Sequence, residues 1–224
     1  MQKPFILDKI LECVEFGKVN HDAPFPPAMK GQDGADEFTR QALEAGIRPA
    51  DILEYSLIRA MERVGEKFSQ KKIYVPQMLM SAKAMNAALV HLKPYFQSGE
   101  VTRKGKLIIG TVAGDLHDIG KNLVCMMIEG AGWEVIDLGV DVSSEKFIQS
   151  LKEHPGAVVG LSALLTTTME SMKQIAADIK KASPETVLLI GGAPVTENFR
   201  IEIGADGYSP NPQGAVMFLN SLEA

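Results

Sequence analysis

Cysteines and basic stretches are scarce in this 224-residue chain, and their scarcity excludes several classes of protein. The two cysteines, Cys13 and Cys125, lie among apolar neighbours and form no CxxC spacing. We therefore predict two buried free thiols rather than a zinc site or a disulfide framework. The formal net charge is −5, whereas a nucleic-acid-binding domain is usually basic on at least one face. No nucleic-acid partner is predicted.

Long apolar runs are also missing. No uninterrupted apolar segment approaches the ~20 residues that span a membrane, and the N-terminal sequence MQKPFILDKILE lacks the apolar core and cleavage site of a signal peptide. We expect a cytoplasmic protein with no membrane partner. Apolar residues make up 46% of the chain and charged residues 23%, which is enough to build an ordinary hydrophobic core.

The apolar pattern changes near residue 100, which predicts two domains. Residues 1–97 carry apolar residues at helical spacing and predict a four-helix bundle. The polar segment 98–105 contains two glycines and predicts a linker. In residues 106–224, short β-rich runs alternate with helical segments. This half predicts a doubly wound parallel sheet of the Rossmann-like, flavodoxin-like type, so the fold class is α/β.

The expected elements can be given approximate bounds. Helices are predicted at 5–16, 35–45 and 75–95, with a fourth along the apolar stripe 52–68, and a loop rich in Pro, Gly and Asp is predicted at 20–34. Strands are predicted at 106–112, 134–138, 157–161, 187–190 and 206–208.

Polar and glycine-rich segments follow four of these strands, at the edge where parallel sheets bind ligands. The segment after the first strand contains Asp115, His117 and Gly120, and the segment after the fourth begins with Gly191 and Gly192. Imidazole is a common metal ligand, and Asp115 is close enough to hold the second ring nitrogen of His117. The glycines allow a bulky group to approach. A lone loop histidine is usually only a polar loop residue, so the joint pattern indicates the site.

These residues carry a resemblance to a known family. The pattern Asp115-x-His117-x-x-Gly120, then Ser162-x-Leu164, then Gly191-Gly192 resembles the cobalamin-binding signature. The stretch GDLHDIGKNLV is similar to methyl-transferring members, including the cobalamin domain of methionine synthase, whereas isomerase members usually carry a GHDRG-like version. Earlier in the chain, VGEKF and YVPQMLMSAKAM resemble the helical cap domain of corrinoid proteins from methyltransferase systems.

The resemblance implies a cofactor and a set of ligands. The cofactor would be cobalamin or a related corrinoid, in the methylcobalamin form when loaded. His117 would be the lower cobalt ligand in a base-off, His-on arrangement, and Asp115 and Thr168 would complete a relay behind it. The implied cofactor-binding residues of this domain are Gly114, Asp115, Leu116, His117, Asp118, Ile119, Gly120, Ser162, Leu164, Thr166, Gly191, Gly192, Tyr208 and Pro212.

Three residues of the helical cap match family positions at the upper face of the cofactor, namely Glu54, Phe68 and Val75. From periodicity alone, Phe68 and Val75 would be bundle core and Glu54 a solvated helix charge. The implied partners are a substrate:corrinoid methyltransferase, a second methyltransferase that delivers the methyl group to an acceptor, and a reductive activator protein. The chain is therefore expected to be a methyl carrier that does not turn over alone.

Other functions remain open on the sequence alone. A cobalamin-dependent light or redox sensor shares both domains, although light-sensing members often place a Trp-His pair where this chain has Phe68 and Ser69. A flavodoxin-like receiver or flavin carrier shares the sheet, because a fold alone does not fix a function. An isomerase subunit is the remaining enzymatic alternative.

Overall fold

The computed structural model describes residues 3–222, with side chains from Phe5 onward. The chain divides into two compact units: residues 1–103 together with 130–132, and residues 104–129 together with 133–224. The division between Arg103 and Lys104 falls inside the segment 98–105 that the sequence predicts as a linker. None of the described helices combines the length and the apolar character that a membrane crossing requires.

The first unit is helical, as predicted. Its helices are α1 (Lys3–Phe16), α2 (Ala35–Glu44), α3 (Pro49–Ile52), α4 (Arg59–Ser69) and α5 (Val75–Gln97), with a π-helical segment (Leu53–Ile58) that joins α3 to α4. Helices α3 and α4 and the π segment together replace the single fourth helix that the apolar stripe predicts. The proline at the start of α3 occupies a first helical turn, where its missing N–H costs nothing.

The π segment was not predicted, and the spacing of the buried residues explains it. Pairs of buried residues recur every four positions, at Ile52 and Leu53, Ser56 and Leu57, and Ala60 and Met61. A regular α-helix repeats every 3.6 residues, so this stripe would drift away from the core. The wider turns of a π segment, with i→i+5 hydrogen bonds, keep the pairs on one side.

The predicted loop at 20–34 is irregular apart from a 3₁₀ turn at Pro27–Met29. A buried lysine secures its first residues. The Lys18 side chain is fully buried, and its ammonium group donates to the carbonyl oxygens of Ala23 at 2.8 Å and His21 at 3.4 Å. These bonds supply the polar partners that a buried ammonium group requires.

The second unit contains five parallel strands in the order β2-β1-β3-β4-β5. They are β1 (Lys106–Thr111), β2 (Glu134–Asp137), β3 (Val158–Ser162), β4 (Leu188–Gly191) and β5 (Gly207–Ser209). The predicted doubly wound sheet is confirmed. The last three strands lie one residue later than predicted, because Ser162, Gly191 and Ser209 still pair in the ladder. These small residues therefore belong to the strand ends rather than to loops.

Helices cover both faces of this sheet. They are α6 (Ile119–Gly130), α7 (Ser144–Glu153), α8 (Met169–Ala182), α9 (Glu197–Ile203) and α10 (Pro212–Ser221). Helices α7, α8 and α9 pack on one face, against a core that includes Ile108, Val159 and Ile190. The strand order reverses direction after β2, so right-handed crossovers place α6 on the opposite face.

On that opposite face, the side chains of the sheet become smaller toward the carboxyl ends of the strands. Its last row across the sheet consists of four small residues in register, Thr111, Ser162, Gly191 and Ser209. The row before it runs through Asp137, Ile109, Gly160, Leu189 and Gly207. The small residues of the last row, together with Gly160 in the row before it, leave space between the sheet and its covering helices.

Candidate functional site

The centre of the site is the carboxylate of Asp115, in the segment between β1 and α6. Asp115 is fully buried, and both of its oxygens accept hydrogen bonds. Oδ1 accepts from the backbone N–H of His117 at 3.1 Å and from its ring Nδ1 at 2.8 Å. Oδ2 accepts from the backbone N–H of Leu164 at 2.7 Å and from the Thr168 hydroxyl at 2.8 Å. One carboxylate thus joins the segments that follow β1 and β3.

These hydrogen bonds keep Asp115 ionised. Burial by itself raises the pKa of a carboxyl group, because it disfavours the charged form. The donors from Leu164, His117 and Thr168 outweigh burial and hold the pKa of Asp115 well below its ordinary value. The site therefore presents a fixed negative charge behind His117 at neutral pH.

His117 is held at three points, and its ring is left half exposed. Asp115 binds its backbone N–H and its Nδ1, and the buried Thr111 hydroxyl donates to its carbonyl oxygen at 2.8 Å. The His117 side chain is 50% exposed. An ionised carboxylate accepts a hydrogen bond and cannot donate one, so in the neutral imidazole Nδ1 carries the proton and Nε2 keeps its lone pair. This tautomer suits a metal ligand bound through Nε2.

The hydroxyl of Thr168 has two acceptors within reach. It lies 2.8 Å from Asp115 Oδ2 and 2.9 Å from the carbonyl oxygen of Leu165. A hydroxyl has one proton to donate, and a charged acceptor makes the stronger bond. Thr168 thus donates to Asp115 while that carboxylate is ionised. The predicted relay residues Asp115, His117 and Thr168 are brought into one hydrogen-bonded chain.

A cavity of about 820 Å³ opens beside His117, and all of its walls belong to the second unit. Predicted site residues on its walls are Leu116, His117, Asp118, Ile119, Gly120, Ser162, Leu164, Gly191, Gly192, Tyr208 and Pro212. Leu116 and Ile119, on either side of His117 in the sequence, are 73% and 75% exposed. An apolar surface around a single imidazole suits a metal ion whose other ligands come from an organic macrocycle.

The floor of the cavity is a glycine inside a strand, which sequence reasoning missed. Gly160 of β3 pairs with Ile109 on one side and Leu189 on the other, and all three line the cavity. A Cβ at Gly160 would lie 3.1 Å from Cγ1 of Ile109 and would project from the same face of the sheet. Glycine inside a strand often marks a close approach of another group.

The three predicted glycines that line the cavity differ in their surroundings. A Cβ at Gly120 would meet no atom within 4 Å, so this residue opens space at the mouth of the cavity. Gly192 has a φ of +134°, and a Cβ there would lie 1.8 Å from the carbonyl oxygen of Ala163. The space at Gly191 is intermediate, because a Cβ there would lie 3.1 Å from the carbonyl oxygen of Ser209. Gly192 is thus required by backbone packing, whereas the space beside Gly120 is open.

Several predicted cofactor-binding residues do not line the cavity. Asp115 lies behind His117, and Gly114 and Thr166 are outside the walls. In the first unit, Glu54 lies in the π segment and is exposed. Phe68 and Val75 are only partly buried, near the end of α4 and at the start of α5, so neither is a fully buried core residue. Their assignment to the upper face of a cofactor stays a prediction.

Other residues in or beside the cavity were not singled out from the sequence. Thr111 lies in an ordinary apolar strand, and its hydroxyl is notable only once its contact with His117 is known. Ser209, Pro210, Asn211 and Ala215 line the cavity from the end of β5 and the start of α10. The Pro-rich segment at 210–212 gave a partial signal, since Tyr208 and Pro212 were both predicted.

Comparison with known proteins identifies the family of this chain and the cofactor of that family. Two family models, both described as a B12 binding domain, match residues 105–216 and residues 31–93. The chain is 40% identical over 186 residues to the trimethylamine corrinoid protein of Methanosarcina barkeri, a match that covers 81% of this chain and 86% of that relative. The chain belongs to the corrinoid proteins of methyltransferase systems. The predicted family and its corrinoid cofactor are thereby confirmed.

Solved structures of corrinoid proteins share the fold of this chain. The methanol:cobalamin methyltransferase complex MtaBC from Methanosarcina barkeri gives a TM-score of 0.83 at 25% identity, covering 99% of this chain and 81% of that one. A cobalamin-binding protein from Desulfitobacterium hafniense DCB-2 gives 0.70 at 29% identity, covering 96% and 97%. The predicted fold class, a helical cap followed by a parallel α/β sheet, is therefore confirmed.

Proposed function

We propose that this corrinoid protein is a methyl carrier, with Nε2 of His117 as the lower ligand to cobalt in the base-off, His-on arrangement. The observation that supports it is the Asp115–His117 hydrogen bond of 2.8 Å at the wall of an 820 Å³ cavity. When bound, the corrinoid supplies a cobalt centre that accepts a methyl group and gives it up again.

The protein's part is to present His117 in one orientation and one tautomer. Asp115 keeps the proton on Nδ1 and so keeps the Nε2 lone pair directed at a ligand. Thr111 fixes the carbonyl of His117, which limits rotation of the loop. The buried charge of Asp115 also stabilises any positive charge that the imidazole acquires, because opposite charges attract strongly where water is excluded.

The cavity has the chemistry for the rest of the cofactor. Exposed Leu116 and Ile119 offer an apolar seat for a macrocycle beside His117. The space between Gly160, Gly191 and Ser209 extends toward the middle of the sheet, and we assign it to the base that the corrinoid would withdraw from cobalt. The open position above Gly120 leaves the macrocycle unobstructed.

We infer that the carrier is loaded by a substrate:corrinoid methyltransferase and unloaded by a second methyltransferase, with a reductive activator protein to restore oxidised cobalt. The relative from Methanosarcina barkeri is named for trimethylamine, and a relative from Methanosarcina mazei at 37% identity is named for dimethylamine. Methylated amines are accordingly the first donors to test, and methanol is the next because of the MtaBC complex.

An add-back assay tests the carrier function. Cell extract from the source organism is depleted of this chain with an antibody, and methyl transfer from trimethylamine, dimethylamine and methanol is measured. We expect at least one rate to fall and to return when the cobalt-loaded wild-type chain is added. Loaded His117→Ala protein should not restore it. Unchanged rates for all three donors in the depleted extract would contradict the carrier function for these donors.

A further inference from the structure

A second carboxylate, that of Asp141, lies against the segment that carries His117. It is in the loop between β2 and α7. Its side-chain Oδ1 accepts from the backbone N–H of Gly114 at 2.7 Å, and its own backbone N–H donates to the carbonyl oxygen of Asp115 at 3.0 Å. One residue thus binds the backbone N–H of Gly114 and the backbone carbonyl of Asp115, which precedes His117 by two positions.

The backbone of Asp141 shows that this position is specialised. Its φ is +52°, and within residues 3–222 the other non-glycine residue with a positive φ is Lys71. The left-handed conformation is unfavourable for most side chains, but Asp and Asn tolerate it. Here it turns the carboxylate and the N–H of one residue toward the same neighbouring segment. Gly114 is also left-handed, with a φ of +83°.

The neighbouring residues extend this contact along the end of β1. Thr111 N–H donates to the carbonyl oxygen of Gly139 at 3.0 Å, and Val142 N–H donates to the carbonyl oxygen of Thr111 at 2.9 Å. The same Thr111 binds the carbonyl of His117 through its hydroxyl. The loop at 139–142 therefore supports the His117 segment from the side opposite to Leu164 and Thr168.

We propose that Asp141 is a positioning residue for His117: it fixes the Gly114–Asp115 backbone, so that the Asp115 carboxylate meets Nδ1 and Nε2 faces the cavity. Asp141 acts through Asp115 and does not touch the cavity wall. The chemistry needed is a hydrogen-bond acceptor on a left-handed residue. An amide oxygen is also an acceptor and meets that need with a weaker bond than a carboxylate.

Three variants separate the acceptor from the charge and from the backbone conformation. Asp141→Asn keeps the acceptor and tolerates the left-handed backbone, but removes the charge. Asp141→Gly keeps the conformation and removes the acceptor. Lys71→Gly is the matched control, because it also replaces a left-handed residue by glycine but lies in the first unit. Thermal unfolding confirms that each variant is folded.

The first readout uses the chain without cofactor. Nitrogen NMR of the His117 ring, identified by comparison with His117→Ala and recorded in mildly alkaline solution where imidazole is neutral, measures the share of the Nδ1–H tautomer. We expect the wild type, Asp141→Asn and Lys71→Gly to keep this tautomer dominant and Asp141→Gly to lose part of it. In the wild-type chain, the Gly114 amide should exchange slowly with solvent although Gly114 is exposed.

The second readout is the affinity for hydroxocobalamin. Asp141→Gly should bind about tenfold more weakly than wild type, as expected for the loss of one hydrogen bond to a charged group, and with a smaller His-on share in its spectrum. Asp141→Asn should remain within about threefold of wild type, since a neutral acceptor retains roughly half of the strength of such a bond. An unchanged tautomer share in Asp141→Gly, or a freely exchanging Gly114 amide in the wild type, would overturn the role of Asp141. Wild type that binds no cobalamin while its NMR results hold would instead contradict the proposed function and leave this inference standing.

Discussion

Replacing Gly160 with alanine should make the cavity selective against corrinoids that carry a nucleotide base. The added Cβ would lie 3.1 Å from Cγ1 and 3.3 Å from Cδ1 of Ile109, so the isoleucine must shift by a few tenths of an ångström. Overpacking of this kind costs about 1–3 kcal/mol, while replacing a strand glycine by alanine returns about 0.5–1 kcal/mol. The protein should remain folded, with a free energy of unfolding lower by about 1 kcal/mol.

The effect on binding should be larger and should depend on the ligand. If the floor of the cavity receives the withdrawn base, one extra methyl group there costs about 1–3 kcal/mol, or roughly 10–200-fold in affinity. Cobinamide lacks the nucleotide and its base, so it has no group that would meet the added methyl group. Its affinity should change by no more than about twofold, which is the usual deviation for sites that do not interact. Spectrophotometric titration with cobalamin and with cobinamide measures both.

Two comparisons make this test decisive. The double variant with Ile109→Val lacks Cδ1 and should recover part of the cobalamin affinity, because the side chain nearest to the new methyl group is smaller. Equal weakening of cobalamin and cobinamide would show that Gly160→Ala disturbs the fold and not the base. No weakening of either ligand would refute the assignment of the cavity floor to the base.

Three further substitutions test the hydrogen bonds and the packing around the site. Folding lowers the pKa of Asp115, so its ionised form contributes to the free energy of unfolding. This contribution is complete at pH values above the ordinary carboxyl pKa of ~3.9 and is lost as the pH falls from there toward the lowered pKa. Asp115→Asn should remove that part of the acid dependence in urea unfolding curves, and an identical pH profile would contradict the four-donor arrangement. Gly192→Ala would place a Cβ 1.8 Å from the carbonyl oxygen of Ala163 and should lower the free energy of unfolding by at least about 3 kcal/mol. An unaltered melting temperature would contradict this close approach of the Gly192 and Ala163 backbones. Thr111→Val removes the donor to the His117 carbonyl and should cost about 1 kcal/mol and lower the His-on share of bound cobalamin; a wild-type spectrum would exclude this support.

The sequence predicts the outline of the site because parallel strands bring distant segments to one edge. Glycine-rich and polar segments after β1, β3, β4 and β5 could therefore be grouped before their geometry was known. The hydrogen bonds that hold these segments together are harder to predict. The backbone N–H of Leu164 binds Asp115, and a backbone donor leaves no trace in the identity of its residue.

Three structural features escaped prediction for physical reasons. Gly160 lies inside an apolar strand, where only the register with Ile109 and Leu189 shows that it faces a cavity. The π segment Leu53–Ile58 follows from a four-residue burial period that a general search for helical spacing does not distinguish from 3.6. Asp141 likewise resembles an ordinary loop aspartate until its contacts with Gly114 and Asp115 are seen.

The central claim is that His117 holds the cobalt of a bound corrinoid through Nε2. The direct test is to reconstitute the chain with hydroxocobalamin, remove unbound cofactor, and record cobalt content and absorption spectrum beside His117→Ala. The account predicts one cobalt per chain and a base-off spectrum that changes when His117 is replaced. A folded wild-type chain that retains no cobalt, or a spectrum identical in the two proteins, would contradict it.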